Sequence, residues 1–256
     1  MAQYRSFLFP EATLRENVIL LDSRESHHLA RVFRARAGES IEVLDGRGTY
    51  YTGIIQSVDA KAVSVFVESV KAVPVARPRI LLLQSESKAK SMDIVLRMAT
   101  EIGVSAIQPI FTDQGEHQRR KHEKRMLLMI EACKQCGLSH LPELYEPCHL
   151  QDWLQSNPRK NKTLRLVASL EAGSRPLLSV LEGSSDDLDE VVVAIGPAGD
   201  FSGSEYERLR NSGFTAVRLG ANVLRVETAA AYILSNVDQA IRGRQLLPNC
   251  SSPGTS

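Results

Sequence analysis

Val191-Val192-Val193-Ala194-Ile195 is an unbroken apolar run that stops abruptly at Gly196-Pro197-Ala198-Gly199, with the polar stretch SGSEYERLR following. A short run with no polar alternation reads as a strand buried on both faces. Related runs, RILLLQ, AIQPIF, LRLVASL and TAVRLG, recur from residue 79 onward and alternate with helical patterns. In SMDIVLRMATEIGV, Met92, Val95, Leu96, Ala99 and Ile102 share one helical face, and Gly103 can end the helix. A long basic helix is expected over about 119–136, a short one at HLQDWLQS, and a last one at ETAAAYILSNVDQAI. Strands alternating with helices imply an α/β fold, with a mainly parallel sheet covered on both faces. The tail NCSSPGTS, within 247–256, reads as disordered.

Residues 1–72 have another rhythm. IEVLDGRG, TYYTGIIQSV and AVSVFVESV are short runs of β-branched and aromatic residues, punctuated by Asp45-Gly46, Gly48 and Asp59-Ala60. They predict a small β-barrel, preceded by a short helix, ESHHLARVF, with Leu29, Val32 and Phe33 on one face. Val73 to Pro78 carries two prolines and no periodicity, and reads as a linker.

Composition limits the partners. No apolar stretch approaches the roughly eighteen residues of a membrane span, and MAQYRSFLFP lacks a basic stretch leading an apolar core, so the expectation is a cytoplasmic protein. The formal net charge of +1 hides local clusters: Arg31, Arg34 and Arg36; then Arg119, Arg120, Lys121, His122, Lys124 and Arg125; then Arg159, Lys160, Lys162 and Arg165. Such clusters either neutralise phosphates or form ordinary solvated faces. Cys133 and Cys136 make a CxxC followed by Cys148-His149, yet EACKQC continues a helical pattern and no second CxxC exists, so no metal is expected.

Ligands in open parallel sheets bind beyond the carboxyl ends of strands. Three glycine-bearing loops fall there: Leu170-Glu171-Ala172-Gly173, Gly196-Pro197-Ala198-Gly199, and Gly220-Ala221-Asn222-Val223-Leu224-Arg225. Either they turn corners or they let a ligand touch the main chain. Ser202 and Glu205 form a capping-box pattern that starts the next helix at the loop. GPAGDFSG lacks the lysine of a P-loop, and no GxGxxG occurs, so a cradle of backbone groups suits an uncharged ring such as adenine better than a triphosphate. Arg225, Glu227 and Thr228 stand at the mouth of the last helix. Glu227 is either an end-charge device or a partner of Arg225 there, or the two serve a substrate.

These residues resemble a known family, the bacterial 16S ribosomal RNA (uracil-N3)-methyltransferases of the SPOUT, or α/β-knot, superfamily. HHLARVFRARAGESIEVLDGRG resembles the family's PUA-like RNA-binding barrel; KAKSMDIVLRMATEIGVSAIQPI resembles the first strand-helix unit of its catalytic domain, and EACKQCG its long helix. IGPAGDFS and LGANVLRVETA resemble its two cofactor loops. The resemblance implies a trefoil-knotted, mainly parallel sheet over 79–246, with a PUA-like β-barrel over 1–72 and a linker at 73–78. It also implies a homodimer that methylates N3 of a uridine in 16S rRNA of the 30S subunit, using S-adenosylmethionine.

In that reading Arg225 stabilises the developing uracil anion, and Glu227 is a weaker candidate for the base. The cofactor would be held by Leu170, Glu171, Ile195, Gly196, Pro197, Gly199, Leu219, Gly220, Leu224 and Thr228. RNA would be held by Arg5, His28, Arg31, Arg34, Arg36 and Lys88. The chain departs from the family pattern: Ala198 and Asp200 stand where glutamate and glycine are usual, Asn222 for arginine, Val226 for threonine, Met98 for lysine and Leu138 for arginine. The alternative is a non-catalytic or retargeted RNA-binding protein that keeps this fold.

Overall fold

A computed structural model describes residues 2–117 and 121–243. In chain order the elements are β1 (Tyr4–Phe7), β2 (Thr13–Arg15), β3 (Val18–Leu20), α1 (Ser23–His27), β4 (Ser40–Leu44), β5 (Thr49–Ser57), β6 (Ser64–Ala72), β7 (Arg79–Ser85), α2 (Ala89–Ile102), β8 (Ala106–Phe111) and α3 (His122–Cys136). There follow β9 (Glu143–Leu144), β10 (Cys148–His149), α4 (Leu150–Ser156), β11 (Thr163–Ala168), β12 (Arg175–Pro176), α5 (Leu177–Glu182), β13 (Glu190–Ile195), α6 (Gly203–Asn211), β14 (Thr215–Arg218) and α7 (Val226–Val237). Wide π-helical turns extend α1 over His28–Phe33 and α7 over Asp238–Arg242. The chain forms two compact units: residues up to Val75 with Met126–Leu141, and Ala76–Arg125 with the chain from Pro142 onward.

In the first unit the strands run β1-β4-β5-β6-β3-β2, with β1 parallel to β4 and the other pairs antiparallel. Ile19, Leu21, Ile41, Val43, Ile55 and Val65 bury their side chains in one cluster with Leu29, so β3 to β6 close around a common core as a small barrel requires. Asp45 fixes the β4–β5 turn by accepting from the N–H groups of Arg47 and Thr49 at 2.7 and 2.9 Å.

One expected face is different. Leu29 is buried, but Val32 and Phe33 point outward, 62% and 47% exposed. For Val32 the reason is the winding of His28–Phe33: a π-helical turn holds more residues than an α-helical one, so the third residue after Leu29 falls well short of a full turn. Phe33 keeps nearly the phase of Leu29 but lies against the rings of Tyr4 and His28 at the surface. Arg34 then closes the turn in the left-handed region at φ 54°.

The second half of α3 lies in the first compact unit, which takes in Met126–Leu141. Ile130 packs with Phe7 and Leu44, and Lys134, 6% exposed, reaches the buried carboxylate of Glu25 at 2.8 Å. Glu25 also accepts from the Phe7 N–H at 3.1 Å and the Ser6 hydroxyl at 2.5 Å. Burial pushes the Cys133 thiol up to about 12, with Cys136 adding to the shift. Cys133 is thus a packing residue on the buried face of the helix. Arg5 closes the helix end: it pairs with Glu42 at 2.8 Å and donates to the Gln135 carbonyl at 3.1 Å.

In the second unit every strand pair is parallel, in the order β10-β8-β7-β13-β11-β14-β12, with β9 beside β8. Val191 to Ala194 are fully buried, as the apolar run predicts, because β13 lies between β7 and β11 with helices over the sheet. Val192 and Ala194 share a cluster with Trp153 of α4 and Tyr206 and Leu209 of α6. Met92, Val95, Leu96 and Ala99 of α2 are buried, and Gly103 caps that helix at φ 86°. Ile102 is only partly buried; Thr100 is buried in that turn and bonds the Leu96 carbonyl.

Two cations from the basic clusters are core residues. Arg165, 3% exposed, lies between the rings of Trp153 and Phe214 at 5.6 and 5.4 Å and donates to the carbonyls of Asn157 and Ser212. Arg125 is buried against Glu86. Arg119, Arg120 and the tail NCSSPGTS lie outside the described residues. Among the described residues no helix is long and apolar enough to cross a membrane.

Candidate active site

Loops from the carboxyl ends of β7, β8, β11, β13 and β14 converge on one cavity of about 620 Å³. The size lies within the range of small-molecule sites. Its position follows from topology. The chain leaves β7 toward β8 on one side, and later inserts β13 between β7 and β11, so loops of opposite direction part at this rim.

Of the residues expected to hold a cofactor, Leu170, Ile195, Gly196, Pro197, Leu219, Gly220 and Leu224 line the cavity, joined by Arg225, Glu227 and Lys88. Three expected residues do not line it. Glu171 turns to α6, where Arg210 binds both its oxygens at 3.1 and 2.8 Å. Gly199 faces Gln114, whose Oε1 lies 2.8 Å from where a Cβ would be. Thr228 is exposed on the first turn of α7. Arg5, His28, Arg31, Arg34 and Arg36 all belong to the first unit. Of these, Arg5 is held by Glu42 and the end of α3, whereas Arg31, Arg34 and Arg36 are exposed.

The glycines have distinct causes. A Cβ on Gly196 would come within 3.0 Å of the buried Phe201 ring, so this glycine serves internal packing. A Cβ on Gly220 would meet no atom within 4 Å, although the residue lines the cavity. No protein neighbour demands glycine there.

Asp200 holds the rim together. Its backbone is left-handed at φ 67°, a conformation that favours glycine. Its carboxylate accepts from the Phe201 N–H at 2.8 Å, the Tyr206 hydroxyl at 2.7 Å and the Leu170 N–H at 3.4 Å. The loops after β11 and β13 are thereby joined to α6. Burial raises the Tyr206 phenol above its ordinary range, and the neighbouring Asp200 carboxylate adds to this, so the hydroxyl stays a donor. The Ser202–Glu205 capping box forms as its pattern predicts, and Glu205 also accepts from the Asp113 N–H at 3.0 Å.

Arg225 is the N-cap residue of α7, with an exposed side chain that makes no hydrogen bond to the cap. Among the described residues it forms no ion pair with Glu227 or any other acid. Its charge stands available at the cavity edge.

The wall from β7 and β8 was not anticipated. Glu86, Ser87, Ser91, Gln114 and Glu116 all line the cavity. The Ser87 hydroxyl oxygen is buried without a hydrogen-bond partner among the described residues. The only sequence signal for this wall is polar chemistry, SES, placed directly after the apolar strand RILLLQ.

A β module and a parallel α/β unit with a loop-lined cavity at its carboxyl rim define a two-part α/β protein with a small-molecule-sized site. Residues 75–238 match the family model described as RNA methyltransferase domain, and residues 21–68 match the RNA methyltransferase PUA domain. The chain belongs to this RNA methyltransferase family. It is 29% identical to the ribosomal RNA small subunit methyltransferase E of Aquifex aeolicus, over 86% of this chain and 94% of the relative. It is 26% identical to the protein of that name from Synechocystis, over 92% and 77%. A protein of Legionella pneumophila described as a methyltransferase, solved with bound S-adenosylmethionine, superposes with a TM-score of 0.82 at 28% identity, covering 94% of this chain and 98% of the other.

Proposed function

We propose that the protein transfers a methyl group from S-adenosylmethionine to N3 of a uridine in 16S rRNA of the small ribosomal subunit. In this reading it is a cytoplasmic homodimer, with residues 1–72 as an RNA-binding barrel and 79–246 as a knotted catalytic domain. The observation that carries the reading is the cavity at the carboxyl rim, with an open wall at Gly220 and the unpaired guanidinium of Arg225 at its edge. The relatives named for small-subunit rRNA and the neighbour solved with the cofactor support it.

The residues present fit an adenosine-bearing cofactor. Leu170, Ile195, Leu219 and Leu224 offer apolar surface, the glycine loops offer main-chain donors and acceptors, and Ser87 adds a buried hydroxyl without a partner. When bound, S-adenosylmethionine supplies a methyl group activated by its sulfonium. The uridine N3–H must lose its proton as the nitrogen attacks, leaving negative charge on the flanking carbonyl oxygens. Arg225 is positioned at the cavity edge to stabilise that charge. Glu227, half-buried on the first turn of α7, lines the same cavity and is the weaker candidate, for taking the proton. Lys88, exposed before α2, offers a cation to the RNA backbone.

The test uses purified protein, tritiated S-adenosylmethionine and undermethylated 30S subunits, followed by mass analysis of the released nucleosides. Label in N3-methyluridine is the expected result. Firm cofactor binding with no label in RNA would assign the chain to the non-catalytic alternative, and label on another base would show a different target.

A further inference from the structure

The outward turn of Val32 and Phe33 leaves apolar surface where a folded chain gains nothing by exposing it, 62% and 47% uncovered. Phe33 is not isolated. Its ring centroid lies 5.6 Å from that of Tyr4, tilted by 46°, and 4.8 Å from the His28 imidazole, tilted by 41°. The three rings form one cluster with the Phe33 face partly open. Exposed Arg31 and Arg34 flank it, and neither forms an ion pair among the described residues. The nearby acid, Glu39, is already engaged by the Tyr4 hydroxyl at 3.0 Å and the Arg36 N–H at 2.6 Å. A local surface thus pairs an aromatic face with uncompensated positive charge. The backbone maintains it through a π-helical turn and a left-handed Arg34.

From this surface we infer a nucleobase platform: Phe33, supported by Tyr4 and His28, stacks against one unpaired base of the RNA, while Arg31 and Arg34 hold the adjoining phosphates. Aromatic faces accept any base, and arginines track the backbone, so the platform selects single-stranded RNA without reading its sequence. A base inside a duplex has both faces covered and cannot reach the ring. The inference rests on the RNA reading above, but concerns a surface in the first unit and not the cavity.

The experiment uses the full-length protein and a short RNA carrying 2-aminopurine at one unpaired position. It is compared with the same strand made abasic there and with the fully paired duplex. Stacking quenches 2-aminopurine, a signal that purely electrostatic binding does not produce. The intact strand should quench and bind about tenfold more tightly than the abasic strand. Phe33→Ala and Phe33→Leu should lose both effects, and Phe33→Trp should restore them. Because Leu and Trp keep the bulk of the side chain, they decide the matter should Ala disturb the turn. Equal affinity for intact and abasic strands, or full quenching by Phe33→Leu, overturns the platform and leaves the methyltransferase reading standing. No binding of either short strand by the unaltered protein also overturns the platform, and leaves the methyltransferase reading to its own test on 30S subunits.

Discussion

Arg125 donates two hydrogen bonds of 2.7 Å to the carboxylate oxygens of Glu86, and solvent reaches almost none of the pair, at 4% and 0% exposure. Glu86 also lines the cavity, and its main chain is fixed on both sides: its N–H donates to the Ile110 carbonyl and its carbonyl accepts from the Glu116 N–H. The pair therefore ties the first turn of α3 to the wall of the site. A fork-to-fork arrangement offsets much of the cost of removing two charges from water.

Removing one partner exposes that cost. Glu86→Gln or Arg125→Met should lower stability by about 3–5 kcal/mol, read from urea unfolding of the full chain. The double change Glu86→Leu with Arg125→Met should recover most of the loss. A loss in the double variant equal to the sum of the two single losses would mean that the two charges are not coupled.

The two glycines of the cavity predict opposite patterns. Gly196→Ala presses on Phe201 and should lower both the melting temperature and cofactor affinity. Gly220→Ala meets no protein atom, so it should leave the melting temperature unchanged while weakening S-adenosylmethionine about tenfold or more. Differential scanning fluorimetry with calorimetry separates the two. Unchanged affinity in Gly220→Ala would remove the cofactor from that wall.

Among the described residues Arg225 forms no ion pair through its side chain, so its loss should act on chemistry. Arg225→Ala should reduce kcat about a hundredfold and leave cofactor Kd nearly unaltered. A large loss of cofactor binding with turnover intact at saturation would reassign the residue.

Cys133 should resist alkylation in the native protein. A thiol pushed up to about 12 stays protonated at pH 8, and the reactive thiolate is scarce. Iodoacetamide labelling followed by peptide mass mapping should find Cys133 modified only after denaturation. Rapid native labelling at pH 8 would show that α3 opens.

What sequence could reveal here follows the range of the interactions. The apolar run of β13, the Ser202–Glu205 cap and the Gly103 helix stop are local, and each is found where the pattern predicts. Val32 leaves the expected face because a π-helical turn shifts side-chain phase without changing composition. Arg125 and Arg165 read as surface cations because their partners are remote, Glu86 being 39 residues away and Phe214 lying in the loop between α6 and β14. The three sequence-expected loops do meet at one cavity, yet its β7–β8 wall escaped notice, since serines and glutamines after a strand look like any solvated loop. Glu171 bears a plausible site position in sequence, but Arg210 engages it across the rim.

Asp200 shows how a side chain can repay an unfavourable backbone. Its φ of 67° would suit a glycine, yet its carboxylate accepts from three donors, of Leu170, Phe201 and Tyr206. Replacing Asp200 by glycine would relax the main chain but strand those donors together. The carboxylate is thus a keystone: three segments lean on one side chain, and its loss would be felt at all of them at once.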